Sequence, residues 1–134
     1  MKKISVVFLI FLTIFFCGFK KKEKPYVILS SSYMNIESMK RVERVFSSGQ
    51  RIYYTVIVPD GFKYSGMRMQ VSSQNEKTSN WGFSIIQSND IYVVKSDQVY
   101  RDYIVIQKPG RYIIQFFYLN NKRYPFIHKE FFVQ

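Results

Sequence analysis

From residue 26 to the C-terminus, short runs of β-branched and aromatic residues are cut at regular intervals by turn-forming residues. That rhythm restricts the chain to an all-β fold of sandwich or small-barrel type. The runs predict nine strands over residues 26–32, 41–46, 51–58, 67–73, 81–87, 91–95, 102–107, 111–119 and 125–133. Between them stand Ser48-Gly49, Pro59-Asp60-Gly61, Ser88-Asn89-Asp90, Ser96-Asp97, Pro109-Gly110 and Asn120-Asn121, all suited to turns. Asn120-Asn121 reads as a two-residue hairpin, because Asn tolerates positive φ. Residues 35–44 hesitate between a short helix and extended chain, with Glu37 and Arg41 at (i, i+4) spacing.

Alternation within runs places side chains on faces. Ile52, Tyr54, Val56 and Val58 share one face, with Tyr53, Thr55 and Ile57 opposite. Tyr112, Ile114, Phe116 and Tyr118 share another, with Ile113, Gln115 and Phe117 opposite. Both faces are largely apolar, as in central strands covered on both sides. A chain with one cysteine forms no internal disulfide, so packing must stabilise this domain, and thirteen Phe and eleven Tyr provide it.

The N-terminus has a different grammar. Lys2 and Lys3 precede a nearly unbroken apolar stretch over residues 4–16, and the lone cysteine, Cys17, closes it. Basic, apolar, then polar is the order of a secretory signal or membrane anchor. Cys17-Gly18 with a charged tether resembles bacterial lipoproteins, of the looser spirochaete kind, and that resemblance implies lipidation of Cys17. Phe16 stands where those proteins carry a small residue. An uncleaved anchor helix and an ordinary cleaved signal therefore remain as alternatives. Each reading expects residues 26–134 to leave the cytoplasm for the cell envelope, membrane-anchored and either periplasmic or surface-exposed.

The formal charge of +11 divides accordingly. Lys20, Lys21, Lys22 and Lys24 belong to the tether, where lysines beside an anchor are drawn to anionic headgroups at about 1 kcal/mol each. Residues 26–134 hold fourteen Lys/Arg against eight Asp/Glu, a moderate excess of six. The expected organisation is a signal peptide or anchor over 1–16, a lipidated cysteine and basic tether over 17–25, and one β-sandwich domain over 26–134.

The C-terminal third resembles an immunoglobulin-like or fibronectin-type sandwich, with a small barrel as the alternative. The resemblance is carried by residues 109–116, by Asn120-Asn121, and by Glu130-Phe131-Phe132-Val133. It implies a single antiparallel sandwich of seven to nine strands, preceded by the N-terminal helix. It also implies that the Tyr112 hydroxyl bonds back to upstream backbone to pin a corner, and that Ile114 stands where antibody domains keep a cysteine. Trp81 is the candidate core tryptophan.

Catalytic patterns are absent from the sequence. One histidine, His128, has no nucleophile or second ligand beside it, and the carboxylates are scattered. Asp90 and Asp102 are the pair that folding could bring together. The chain is thus expected to be a non-enzymatic binding module that needs neither cofactor nor metal. Its expected partners are a membrane, through the lipid, and a protein or polyanionic glycan, with no role for nucleic acid. Lys40, Arg41, Arg44, Lys122 and Arg123 are the candidate polyanion contacts. An accessory subunit of an envelope assembly or transport machine, docking by a strand edge, is the alternative, and an enzyme with a dispersed site follows it.

Overall fold

The structure, a computed structural model, describes residues 21–33, 42–74 and 82–134. Among them lie eight strands and no helix: β1 (Tyr26–Ser30), β2 (Val45–Phe46), β3 (Arg51–Ile57), β4 (Gly66–Gln74), β5 (Phe83–Tyr92), β6 (Val99–Val105), β7 (Gly110–Tyr118) and β8 (Ile127–Val133). They form a three-stranded sheet in the order β1-β3-β6 and a five-stranded sheet in the order β2-β8-β7-β4-β5. The two layers pack as a β-sandwich. Every pairing is antiparallel except β2 with β8, which is parallel and departs from the expected all-antiparallel pattern.

The predicted alternation sets the core. Ile52, Tyr54 and Val56 from β3 face Ile114 and Phe116 from β7, and all are buried. Tyr54 and Phe116 meet across the layers with ring centroids 5.5 Å apart. Phe131 stacks on Tyr112 and meets Phe46 edge-on, so β8 ties β7 to β2 through aromatic packing. Tyr112 donates its hydroxyl to the Lys108 carbonyl at 2.6 Å, the expected corner bond. Ile114 is fully buried.

Lys129 occupies an inward position of β8, between Ile127 and Phe131. Its stem runs between the layers, and its Nζ reaches the Val27 carbonyl of β1 at 3.4 Å. Burial first, and the Arg44 charge second, hold its ammonium below the usual lysine range.

Three expectations are corrected. Runs 81–87 and 91–95 are one strand, β5, and Ser88-Asn89-Asp90 lies inside it rather than in a turn. Cross-strand pairing overrides the turn preference here, because Asp90 sits opposite Arg68 and the strand lies at the sheet edge where polar residues stay solvated. Ile86 is the extra residue of a bulge opposite the Val71/Ser72 step. The β7–β8 connection is not a primed Asn-Asn hairpin: Asn121 N–H bonds the Tyr118 carbonyl at 3.0 Å, placing Leu119 and Asn120 at the centre of the turn. Neither asparagine has positive φ. The stack of Phe126 on Tyr118, 4.0 Å between centroids, holds this longer connection against the sheet end. Finally, run 102–107 begins earlier, at Val99, and among the described residues of run 41–46 only Val45 and Phe46 form a strand, β2.

At one end of the sandwich two loops interlock. Phe62 N–H bonds the Asp97 carbonyl and Ser96 N–H bonds the Phe62 carbonyl. Gly61 makes this approach possible, since a Cβ there would lie 2.7 Å from the Ser96 carbonyl oxygen and its φ is +81°. The expected N-terminal helix and Trp81 lie outside the described residues.

Candidate binding surface

The outward face of the three-stranded sheet follows from register. Tyr53 of β3 pairs with Tyr103 of β6 and with Ser30 of β1, and Thr55 pairs with Arg101 and Ile28. Tyr26, Ile57 and Val99 make the next row, and Arg51 and Val105 close the far end. The strand positions of this face therefore carry two arginines and no carboxylate.

The aromatic residues form a cluster. Tyr33, just beyond β1, meets Tyr53 edge-on at 5.8 Å, and Tyr53 meets Tyr103 at 5.9 Å. The Arg51 guanidinium lies 4.7 Å from the Tyr103 ring centroid, within the range of a cation–π contact. Its hydrogen bond with Tyr53, helped by Tyr103, holds it above the ordinary arginine range. Beside the rings lies a depression of about 160 Å³ bounded by Tyr33, Tyr53, Tyr103 and Arg101, with Thr55 beneath. Thr55 is 1% exposed although it faces outward, because these larger neighbours cover it. Tyr33 and Tyr103 are 71% and 44% exposed, so the rings themselves stay open to solvent.

Asp102 borders this depression but is engaged locally. Its carboxylate accepts the Tyr103 N–H at 2.8 Å and the Tyr100 hydroxyl at 3.3 Å. Burial, then Asp102, raises the Tyr100 hydroxyl above its usual value. Among the described residues neither Arg51 nor Arg101 makes an ion pair. Such a surface can stack on a flat partner and hydrogen-bond anionic oxygens.

The expected site residues are dispersed. Cys17, Lys20, Lys40 and Arg41 lie outside the described residues. Lys21, Lys22 and Lys24 are exposed, and Lys22 comes within 3.7 Å of Asp60. Arg44 sits where its carbonyl accepts the Phe132 N–H, near the end of β8. Lys122 and Arg123 belong to the turn before that strand begins, so β8 separates them from Arg44.

The residues weighed for chemistry also stand apart. Asp90 is bound by Arg68 on the outer face of the five-stranded sheet, and its carboxyl is held below the usual range first by that hydrogen bond. His128 lies on the same face, about 16 Å away, three strand spacings across and two residues along. Asp102 belongs to the other sheet. No group of three or more His, Cys, Asp or Glu able to hold a metal occurs among the described residues. Among the described residues there is no helix long and apolar enough to cross a membrane.

Sequence reasoning missed the tyrosine–arginine cluster. Alternation set Tyr53 on the face opposite Tyr54 but read both faces as covered, and Tyr33 and Tyr103 join it only through the β1–β3–β6 register. The alternation Val99, Arg101, Tyr103, Val105 was the available signal once β6 is begun at Val99.

No family model matches the chain, and no curated protein matches it. Among solved structures, it is similar to a stretch of a β-glucosidase from Kluyveromyces marxianus in complex with glucose, at 12% identity and a TM-score of 0.42. That match covers 83% of this chain and 14% of the glucosidase. An alkylpurine DNA glycosylase, AlkC, from Pseudomonas fluorescens, bound to DNA containing an abasic site analog, is similar over 83% of this chain and 30% of its own, at 13% identity and a TM-score of 0.41. Similarity at that level carries no functional argument.

Proposed function

We propose that this chain is an exported, lipid-anchored envelope protein whose immunoglobulin-like sandwich is a non-enzymatic binding module for a polyanionic glycan. The observation that carries the reading is the outward face of the β1-β3-β6 sheet, where Tyr33, Tyr53 and Tyr103 surround a depression beside Arg51 and Arg101. Tyrosine rings stack on the apolar faces of sugars, and arginine forks pair with carboxylate or sulfate oxygens. The absence of carboxylates from the strand positions of that face favours an anionic partner. The immunoglobulin-like assignment is supported by the two packed sheets and by the Tyr112 corner bond. The anchor rests on the order of residues 1–17.

The test is retention of the full chain on immobilised heparin. Wild type should stay bound at about 0.15 M salt, where contacts between exposed charges are largely screened beyond ~8 Å. The Arg101→Ala/Tyr103→Ala variant should elute at lower salt, while Lys122→Ala/Arg123→Ala should match wild type. The reverse order would move the contact to the β7–β8 turn. Fatty-acid labelling of wild type against Cys17→Ala tests the anchor, and equal labelling would sink it. A second reading, an accessory subunit that docks by a strand edge, is favoured by β5, an outer strand of ten residues.

A further inference from the structure

The two sheets end in four outer strands, and they differ in how open they are. β2 has two residues. β1 has its Val27 carbonyl approached by Lys129 Nζ. β6 carries Arg101 and Asp102. β5 is the longest strand, ten residues with no Lys, Arg or Pro, and its single charge, Asp90, is neutralised by a two-pronged bond from Arg68. Edges of folded proteins are usually blunted by lysine, proline, bulges or short length. In β5 the one bulge lies at Ile86, so Gln87 to Tyr92 is the regular stretch that can template another strand.

The backbone of that edge can be read from its pairing. Val93 N–H bonds the Ser65 carbonyl at 2.9 Å. Antiparallel ladders alternate, so Ile91 and Asn89 continue toward β4, while Tyr92, Asp90 and Ser88 turn their N–H and C=O groups to the open side. Ile86 and Tyr92 expose 49% and 82% of their surface.

We propose that β5 is the interface between two copies of this chain, paired antiparallel about a twofold axis at Asn89. Charge selects the occupant and the register. With Asn89 at the centre, Ser88 of one copy faces Asp90 of the other, and Ile86 of one faces Tyr92 of the other. Each carboxylate keeps Arg68 and meets a hydroxyl, and each exposed apolar side chain meets another. Sliding the copies by two residues brings Asp90 against Asp90, or Ile86 against Asp90. The interface is self-complementary, as a twofold contact requires, and it joins the two five-stranded sheets into one of ten.

The register makes the test selective. Asn89 faces its own copy in a pair without backbone hydrogen bonds, where Cα atoms approach to about 4.5 Å, within disulfide reach. Gln87 is four residues out of register with its copy, about 13 Å away. The full chain carrying Cys17→Ser and Asn89→Cys should form a disulfide-linked dimer under mild oxidation, and the Cys17→Ser/Gln87→Cys chain should remain monomeric. Association through residues 4–16 would link both variants alike or neither, and either result overturns the proposal. Asn89→Lys in the Cys17→Ser chain, which sets two ammonium groups face to face, should weaken the dimer about fivefold by sedimentation. An unchanged dimer would also overturn it. Because Cys17 is replaced throughout, the outcome does not depend on lipidation, and heparin retention reports separately on the other sheet.

Discussion

The outer faces of the two sheets use arginine in opposite ways. On the five-stranded sheet, Arg68 is bound by Asp90 at 2.6 and 3.0 Å, and Arg111 by Glu130 at 2.6 Å with Gln74 beside it. Each guanidinium there is held by a carboxylate of a neighbouring strand. On the three-stranded sheet, Arg51 lies over a tyrosine ring and Arg101 borders an open depression. The outward strand positions there carry no carboxylate, and Asp102 at the rim is engaged by the Tyr103 N–H and the Tyr100 hydroxyl. One set of arginines serves the sheet, and the other is left for something outside it. On the proposed reading, fold stability belongs to the shared inner layer, and binding to the smaller sheet's outer face.

The largest test of this contrast lies between the sheets. Phe116→Ala removes a fully buried ring that meets Tyr54, and it should cost about 3–5 kcal/mol in denaturant unfolding. A loss under 1 kcal/mol would mean that the inner layer is not where the stability resides.

Alkaline pH gives the second test. Burial, more than the nearby Asp102 and Tyr100, raises the Tyr54 hydroxyl well above its usual value of 10.0. A group raised on folding contributes stability that is complete below its unfolded pKa and is lost as pH climbs toward the folded value. Unfolding free energy should therefore fall above pH ~10 by about 1.4 kcal/mol per pH unit for this residue alone. Urea midpoints from pH 9 to 12 should fall less steeply in Tyr54→Phe; equal slopes would count against the burial of this hydroxyl.

The smallest effects separate the arginines. Arg111→Ala should cost about 0.2–1 kcal/mol, the ordinary worth of an exposed ion pair, and its effect should shrink in salt. Arg101→Ala should leave stability within about 0.5 kcal/mol while weakening heparin retention. If the two exchange roles, the contrast between the faces is wrong.

What was legible in the sequence was local. Period-two alternation sorted the side chains of β3 and β7 into two faces, because each strand carries that information within seven to nine residues. Both faces read as covered, however, and the Tyr53 face of β3 is open. The Tyr112 corner came from the resemblance to immunoglobulin-like sandwiches, and its acceptor lies four residues upstream. Strand β5 was not, because Ser88-Asn89-Asp90 favours a turn in isolation, and only pairing with β4 and the Arg68–Asp90 bond extends it. The Asn120-Asn121 pair misled in the opposite sense, since Tyr118 stacking on Phe126 sets the path of the chain there. The tyrosine cluster gathers residues from three separated segments, and no local pattern encodes a register between distant strands.

Ile114 has one more consequence. With cysteine absent from residues 26–134, no oxidation step gates the closing of the layers. The same sandwich is then free to form in a reducing compartment as fast as in an oxidising one. If the chain is exported as proposed, nothing in its own thiol chemistry delays folding until it has crossed the membrane.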